Sequence, residues 1–325
     1  MNVLVLSYDD VTRLLTMDAC IEVMADALRT TSRGGAVLPL RSVVWMPDRT
    51  GMIGLMPGFL EAPISLGLKV VSIFPGNHGT GFDSHQGVVM LFDTRHGSPK
   101  AILDASSITA IRTAAVSGVA TRALAREDAG DLALLGSGVQ AATHLAAMRA
   151  VRKLRRVRVW SRNLANAQRF AEKAPIAVEV AATVRDAVDG ADLICTTTAA
   201  REPVLEGAWL APGAHINAVG ACFAVSRELD TAAVVRSRLI VDRKESTLAE
   251  SGDFLLARAE GAIGDDHIAG ELGAVLLGEV VGRRSNDEIT LFKSLGIAIE
   301  DLAAAHYVYS QAVARGGGVS VPLGA

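Results

Sequence analysis

This sequence predicts an α/β protein in which a doubly wound parallel sheet is joined to a smaller α/β unit built on antiparallel strands. Three observations carry the prediction. At 325 residues the chain exceeds the usual reach of one hydrophobic core. Half of it is hydrophobic and 21% is charged, which is enough apolar mass for packed cores and excludes a disordered chain. Its texture also changes along its length, from short runs bounded by Gly and Pro to a regular alternation of strands and helices.

Residues 1–30 read as helical, with Ser7 and Asp9 available to cap a segment starting near Asp10. Met17, Cys20, Ile21, Met24, Ala27 and Leu28 recur there at helical spacing. From Ala36 to Asp104 the runs VLPLRSVVWM, GMIGLMPGF, SLGLKVVSIF, GVVMLFD and PKAILD predict an antiparallel meander. The segment PGNHGTGFDSHQG (75–87) is too rich in Gly to be strand or helix and reads as a loop. Residues 106–125 have helical periodicity, with Ser106 as cap. DLALLGSG (131–138) is then a strand entering a turn, VQAATHLAAMRAV a helix, VRVWS (157–161) a strand and NLANAQRFAEK a helix. DLICTTT, HINAVG and RLIVD continue as short buried strands of a parallel sheet. GIAIEDLAAAHYVYSQAVA (296–314) is the last helix, and a Gly-rich tail follows it.

Composition removes several function classes. With 32 Lys+Arg against 35 Asp+Glu and only 4% aromatic residues, neither a basic stripe nor a stacking platform for nucleic acid is present. Cys20, Cys195 and Cys222 are odd in number and far apart, which excludes a disulfide scaffold or a zinc module. The N-terminus lacks a basic segment, and no apolar run approaches a membrane span, so a soluble cytoplasmic protein is expected. His78, Asp83 and His85 share a loop, but their spacing matches no recognised ligand pattern, and no metal is expected.

Gly136-Ser137-Gly138-Val139-Gln140-Ala141 follows a buried strand and opens a helix, the G-x-G-x-x-A fingerprint of a Rossmann dinucleotide site. The first Gly permits the turn, the second lets backbone approach a pyrophosphate, and the helix N-terminus faces the phosphates. The second strand ends in Trp160-Ser161-Arg162-Asn163, where an NAD site usually places an acid for the ribose 2′-hydroxyl. Ser161 and Arg162 suit a 2′-phosphate instead, so NADPH is expected, with NADH weaker.

Three cations lie in apolar surroundings: Arg41 and Lys69 in strands and Arg112 on a helix. A cation so placed needs a counter-charge. Either a structural carboxylate supplies it or an anionic ligand does. Few acids occur in the same strands, which favours the ligand.

PLRSVV (39–44), GLKVVSIFPGN (67–77), HQGVVMLFD (85–93), ITAIRTAAVSGVAT (108–121), LLGSGVQA (134–141), INAVGA (216–221), ESGD (250–253) and EITLFKSLGIAIEDLAAA (288–305), taken in order, resemble the ornithine cyclodeaminase/mu-crystallin family. The resemblance implies a Rossmann domain at 113–302 and a substrate and dimerisation domain at 1–112 plus 303–325. It also implies a homodimer formed through the smaller domain's sheet, and chemistry at an imine beside a carboxylate. By resemblance, Arg41 and Arg112 grip the substrate carboxylate, Lys69 handles a proton, and His85 borders the pocket. The cofactor contacts it implies beyond the Gly motif, Ser161, Arg162 and Asn163 are Thr113, Thr196, Thr197, Thr198, Val219, Gly220, Lys293 and Ser294.

One departure bears on the subclass. Ornithine cyclodeaminases carry an aspartate two places past the last Gly of INAVG, and here Cys222 stands there. A thiol is a poor substitute for a carboxylate base at neutral pH. The expected function is therefore NADPH-dependent reduction of a cyclic α-imino acid such as Δ1-pyrroline-2-carboxylate or Δ1-piperideine-2-carboxylate. An amino-acid dehydrogenase or cyclodeaminase using Glu228 or Asp230 stays open, as do an acyclic-imine reductase and a non-catalytic NADPH-dependent binder.

Overall fold

The structure is a computed structural model that describes residues 2–77 and 80–324. His78 lies outside them, so the loop expected to group it with Asp83 and His85 is described only in part.

The chain opens with a strand, β1 (Asn2–Leu6), where a helix is expected. Its burial does not alternate, since buried Val3 and Leu6 stand three apart, so it is pairing with the strand Pro99–Asp104 on one side and the C-terminal strand Val319–Pro322 on the other that makes this segment a strand. Helix α1 (Tyr8–Leu14) begins at Ser7, whose hydroxyl accepts from Asp10 N–H while the Asp10 carboxylate accepts from Ser7 N–H. Thr16 caps α2 (Met17–Ser32), which buries Cys20, Ile21, Met24 and Leu28. The meander follows as β2 (Ala36–Val37), β3 (Ser42–Trp45), β4 (Met52–Leu60), β5 (Ser65–Ile73), β6 (His85–Phe92) and β7 (Pro99–Asp104). Arg41 is the residue before β3, not within it. Helix α3 (Ala105–Leu124) is capped by Asp104 and not by Ser106: the Asp104 carboxylate accepts from Ser107 N–H at 2.7 Å, while the Ser106 hydroxyl donates to the His85 carbonyl.

The alternating region contains β8 (Asp131–Leu135), α4 (Val139–Val151), β9 (Arg156–Trp160), α5 (Leu164–Lys173), β10 (Glu179–Val180), α6 (Val184–Val188), β11 (Leu193–Thr196) and β12 (His215–Ala218). It continues through α7 (Thr231–Val235), β13 (Ser237–Val241), α8 (Lys244–Glu250), α9 (Gly252–Ala259), β14 (Ile268–Glu271), α10 (Leu272–Leu276) and β15 (Ile289–Lys293). Helix α11 (Ala298–Arg315) and β16 (Val319–Pro322) complete the chain. The Gly-rich tail thus pairs antiparallel with β1. Its side chains are all exposed, so backbone hydrogen bonds order it and hydropathy carries no trace of them.

Two compact units result: residues 1–112 with 297–325, and residues 113–296. The second crossing falls just before α11; a boundary at 302 would cut that helix through its hydrogen-bonded turns. In the first unit the sheet order is β16-β1-β7-β6-β5-β4-β2, with β3 on β4. Helix α11 packs against α2 and against β4, β5 and β6. In the second unit the order is β10-β9-β8-β11-β12-β15-β13-β14, and the described pairs are parallel. Leu135, Ile194, Ile216, Leu239 and Leu291 fill its core. The order reverses between β8 and β11, and a sheet of this kind binds its ligand at the carboxyl ends of the strands flanking such a reversal. No helix of the described residues is long and apolar enough to cross a membrane.

Candidate active site

In the first unit, Lys69 lies on the same strand face as Ser65 and Gly67, the buried side of β5. Its Nζ donates to Asp301 Oδ1 at 3.1 Å. Arg112, near the middle of α3, donates from Nε to the same oxygen at 2.9 Å and from Nη1 to Glu300 Oε2 at 2.5 Å. Lys69 and Arg112 are 3% and 4% exposed, and Glu300 and Asp301 are fully buried. The counter-charges that the strands lack therefore come from α11. The expectation that scarce acids favour a ligand over a structural carboxylate is corrected for two of the cations, which two structural carboxylates already neutralise.

Donor capacity nevertheless remains. An ammonium has three N–H and a guanidinium five, while Lys69 meets one carboxylate oxygen here and Arg112 meets two. Asp301 Oδ2 is buried without a hydrogen-bond partner among the described residues. Burial pulls the Lys69 ammonium down to about 8; Asp301 opposes that pull, while Arg112 and Arg41 add to it. Burial works against the Arg112 charge too, but Asp301 and Glu300 outweigh it and hold the guanidinium firmly protonated. Half-buried Arg41 is thus close enough for its charge to reach Lys69. His85 begins β6, is exposed, and pairs its Nδ1 with the Ser84 hydroxyl at 3.0 Å.

In the second unit, Gly136 turns out of β8 with φ +119°, a value that side-chain-bearing residues avoid. A Cβ there would stand 2.6 Å from Thr197 Oγ1. Gly138 is the N-cap of α4 and supplies no side-chain cap; a Cβ on it would meet nothing within 4 Å. No side chain caps the first N–H groups of α4, which lie beside exposed Gly138 and Val139 and partly buried Ser137 and Gln140. This is what a bound pyrophosphate needs, so the residues present fit a dinucleotide. Gly136 N–H donates to the Trp160 carbonyl at 2.8 Å, which brings the end of β9 beside the turn. Ser161 is partly buried and Arg162 exposed at that end, while the Asn163 side chain is used as the cap of α5.

Other residues expected to touch the cofactor divide clearly. Thr197, half-buried, donates its hydroxyl to the Leu135 carbonyl beside the turn. Thr196 is fully buried and Thr198 partly so, and both donate to Glu228. Lys293 is committed to Asp253 at 2.8 Å and to the Ala221 carbonyl at 2.7 Å, and 1% of it is exposed. Thr196 and Lys293, both expected to touch the cofactor, are thus buried among these protein partners. Thr113, Val219 and Ser294 are buried and Gly220 is partly exposed. The acids weighed as alternative bases are also occupied: Glu228 accepts from Thr196, Thr198 and Gly220, and Asp230 caps α7. Cys222 is half-buried and donates to the Val219 carbonyl at 3.3 Å. His144 is a satisfied core histidine, held neutral near 4 by burial and bonded to the Gln140 carbonyl and the Ser117 hydroxyl.

The residues missed by sequence reasoning are Glu300, Asp301 and Asp253. The signal was present for the first two. Adjacent acids in an otherwise apolar helix raise the same question as cations in apolar strands.

The sequence profile of the ornithine cyclodeaminase/mu-crystallin family matches residues 1–316. The chain is 43% identical over 276 residues to the ketimine reductase mu-crystallin of Mus musculus, covering 85% of each chain. It is 38% identical over 320 residues to a Δ1-pyrroline-2-carboxylate reductase of Bacillus cereus, covering 97% of this chain and 98% of that one. The fold matches that of Thermococcus litoralis Δ1-pyrroline-2-carboxylate reductase in complex with NADH and L-proline with a TM-score of 0.96, at 40% identity and covering 98% and 100% of the two chains. With a dinucleotide turn in one unit, a neutralised cation cluster in the other and likeness along nearly the whole chain, this protein belongs to the ornithine cyclodeaminase/mu-crystallin family.

Proposed function

We propose that this protein is an NAD(P)H-dependent reductase of cyclic α-imino acids, converting Δ1-pyrroline-2-carboxylate or Δ1-piperideine-2-carboxylate to L-proline or L-pipecolate. The observation that carries the reading is the Lys69–Arg112 cluster with donors to spare, on a chain whose reductase relatives match it over almost their full length. Arg112 and Arg41 hold the substrate carboxylate, and the planar fork of Arg112 also fixes its orientation. When bound, the reduced nicotinamide supplies the hydride for the imine carbon. Lys69 gives the imine nitrogen a proton, remains in place as the neutral amine and recovers its proton from water. A lysine near 8 is matched to this task, since it is mostly charged at neutral pH yet releases a proton readily. With Glu228 and Asp230 engaged elsewhere and Cys222 in the aspartate position, no free carboxylate remains there for a cyclodeaminase base.

The NADH of the Thermococcus litoralis complex supports the dinucleotide; the preference for NADPH rests on Ser161 and exposed Arg162 at the end of β9. The assay that tests both follows cofactor oxidation with the five- and six-membered imines, NADPH beside NADH. Rapid turnover with NADPH favoured is expected, and Arg162→Ala should cut that preference about ten- to a hundredfold, the worth of one charged hydrogen bond. NADPH bound with no turnover on either ring would replace the reductase with a binding protein or an acyclic-imine enzyme.

We further propose a homodimer through the sheet of the first unit. Val37, Val44, Ile53 and Leu66 are exposed, and their strand pairings place them on the face opposite buried Met52, Met56 and Leu60. An uncovered apolar sheet face of this kind supports association with a second copy. Sedimentation equilibrium is expected to give twice the chain mass; a monomer at micromolar concentration would overturn this. The three unpaired thiols suit a reducing, cytoplasmic setting, which cell fractionation would test.

A further inference from the structure

One buried carboxylate in the second unit ties together two loops at the carboxyl edge of the parallel sheet. Glu228 is fully buried. Its Oε1 accepts from Thr198 N–H at 2.6 Å and from the Thr198 hydroxyl at 2.7 Å. Its Oε2 accepts from the Thr196 hydroxyl and from Gly220 N–H, both at 2.7 Å. Thr196 ends β11 and Thr198 follows it, while Gly220 lies two residues beyond β12. The N–H groups of Thr198 and Gly220 can only donate, which favours the ionised acid, while burial and the neighbouring Asp253 pull the other way and raise its carboxyl above the usual range.

A second buried acid holds the first from behind. Asp253 Oδ1 accepts the N–H groups of Glu228 at 2.8 Å and Leu229 at 3.0 Å, and its Oδ2 takes Lys293 Nζ at 2.8 Å. Lys293 also donates to the Ala221 carbonyl. The loop after β12 is thereby fixed at residues 220, 221, 228 and 229. The packing leaves no slack: a Cβ on Gly220 would stand 2.0 Å from the Thr198 carbonyl oxygen and 2.6 Å from Glu228 Oε1.

Burying ionised groups is expensive, and an apolar core of the same shape would hold the fold at least as well. What this network adds is the position of one loop relative to the other. In a doubly wound sheet the dinucleotide lies across the strand ends, one mononucleotide to each half. The β8–β9 half, with the Gly turn and Arg162, takes the adenosine side, which leaves the loops after β11 and β12 to the nicotinamide side. We infer that Glu228, backed by Asp253 and Lys293, is a positioning residue for the nicotinamide half of the cofactor. It acts through Thr198 and Gly220 and touches neither cofactor nor substrate. The inference rests on the reading of the second unit as an NAD(P)H site.

The test is direct binding, measured by titration calorimetry on the full chain. The ligands are NADPH and 2′-phospho-ADP-ribose, which keeps the adenosine, 2′-phosphate and pyrophosphate but lacks the nicotinamide ring. Glu228→Gln keeps the shape and turns one acceptor into a donor. It is expected to weaken NADPH about tenfold or more, the scale of one lost charged hydrogen bond, and to change 2′-phospho-ADP-ribose by less than about twofold. Thr196→Val removes a single bond to Glu228 from a fully buried side chain. It is expected to shift NADPH alone by about threefold, and it decides the matter if the Gln variant does not fold. Equal weakening of both ligands would make the network part of the general fold and overturn the inference, as would no change in either. If the unmodified protein binds neither ligand, the cofactor reading itself falls and this inference falls with it.

Discussion

Replacing Arg112 with alanine is expected to reduce kcat/KM by about a thousandfold, the scale of some 4 kcal/mol lost when one partner of a buried charged contact is truncated. The same change leaves Glu300 and Asp301 buried beside one cation fewer. A stability loss of about 3–5 kcal/mol is therefore expected as well. Arg112→Lys separates the two effects. It returns a charge to the carboxylates, so a denaturant melt should recover most of the stability. It cannot reproduce the planar fork, so KM for the imino acid should stay raised by at least about tenfold. Near-normal kcat/KM in the alanine variant would remove Arg112 from the carboxylate site and leave it as a structural ion pair only.

Loss of Lys69 has the second large effect, and pH reports it in the unmodified protein. On the proposed mechanism the proton donor is the Lys69 ammonium, which is mostly present below about pH 7 and disappears as pH climbs through about 8. The rate of imine reduction should therefore fall roughly tenfold per pH unit above that point. Stability moves the other way. Burial lowers the Lys69 value in the folded state from 10.5 to about 8, so between those values the unfolded chain binds more protons. On this group's account stability rises with pH across that window, and the loss of rate is not unfolding. Lys69→Met is expected to lower kcat by about 10²–10⁴ and to flatten the alkaline limb. A methionine variant that kept the limb would assign it to another group.

Much of the fold could be read from local pattern. The alternation in SLGLKVVSIF follows the two-residue period that makes β5, and strand, Gly turn and helix in DLALLGSGVQAA give β8 and α4 by short-range sterics alone. The turn itself needed little more, because the positive φ of Gly136 is a local backbone requirement, although a Cβ there would also meet Thr197, just past the neighbouring strand β11 of the sheet. Strand β1 was misread because a few apolar residues before a good cap fit either element, and its partner β16 lies at the far end of the chain.

The sequence by itself determined the fold class, the Gly turn between β8 and α4 and the presence of unusual cations at 41, 69 and 112. Only the tertiary structure decided what those cations meet. Lys69 and Asp301 are 232 residues apart in the chain, and Arg112 and Glu300 are 188 apart. Glu228 likewise looked like a spare acid until the folded loops brought it four donated hydrogen bonds. Periodicity reports which face a residue occupies, because backbone geometry repeats every two or 3.6 residues. Charge pairing acts through space with no such period, so it becomes visible only when the fold has closed the distance.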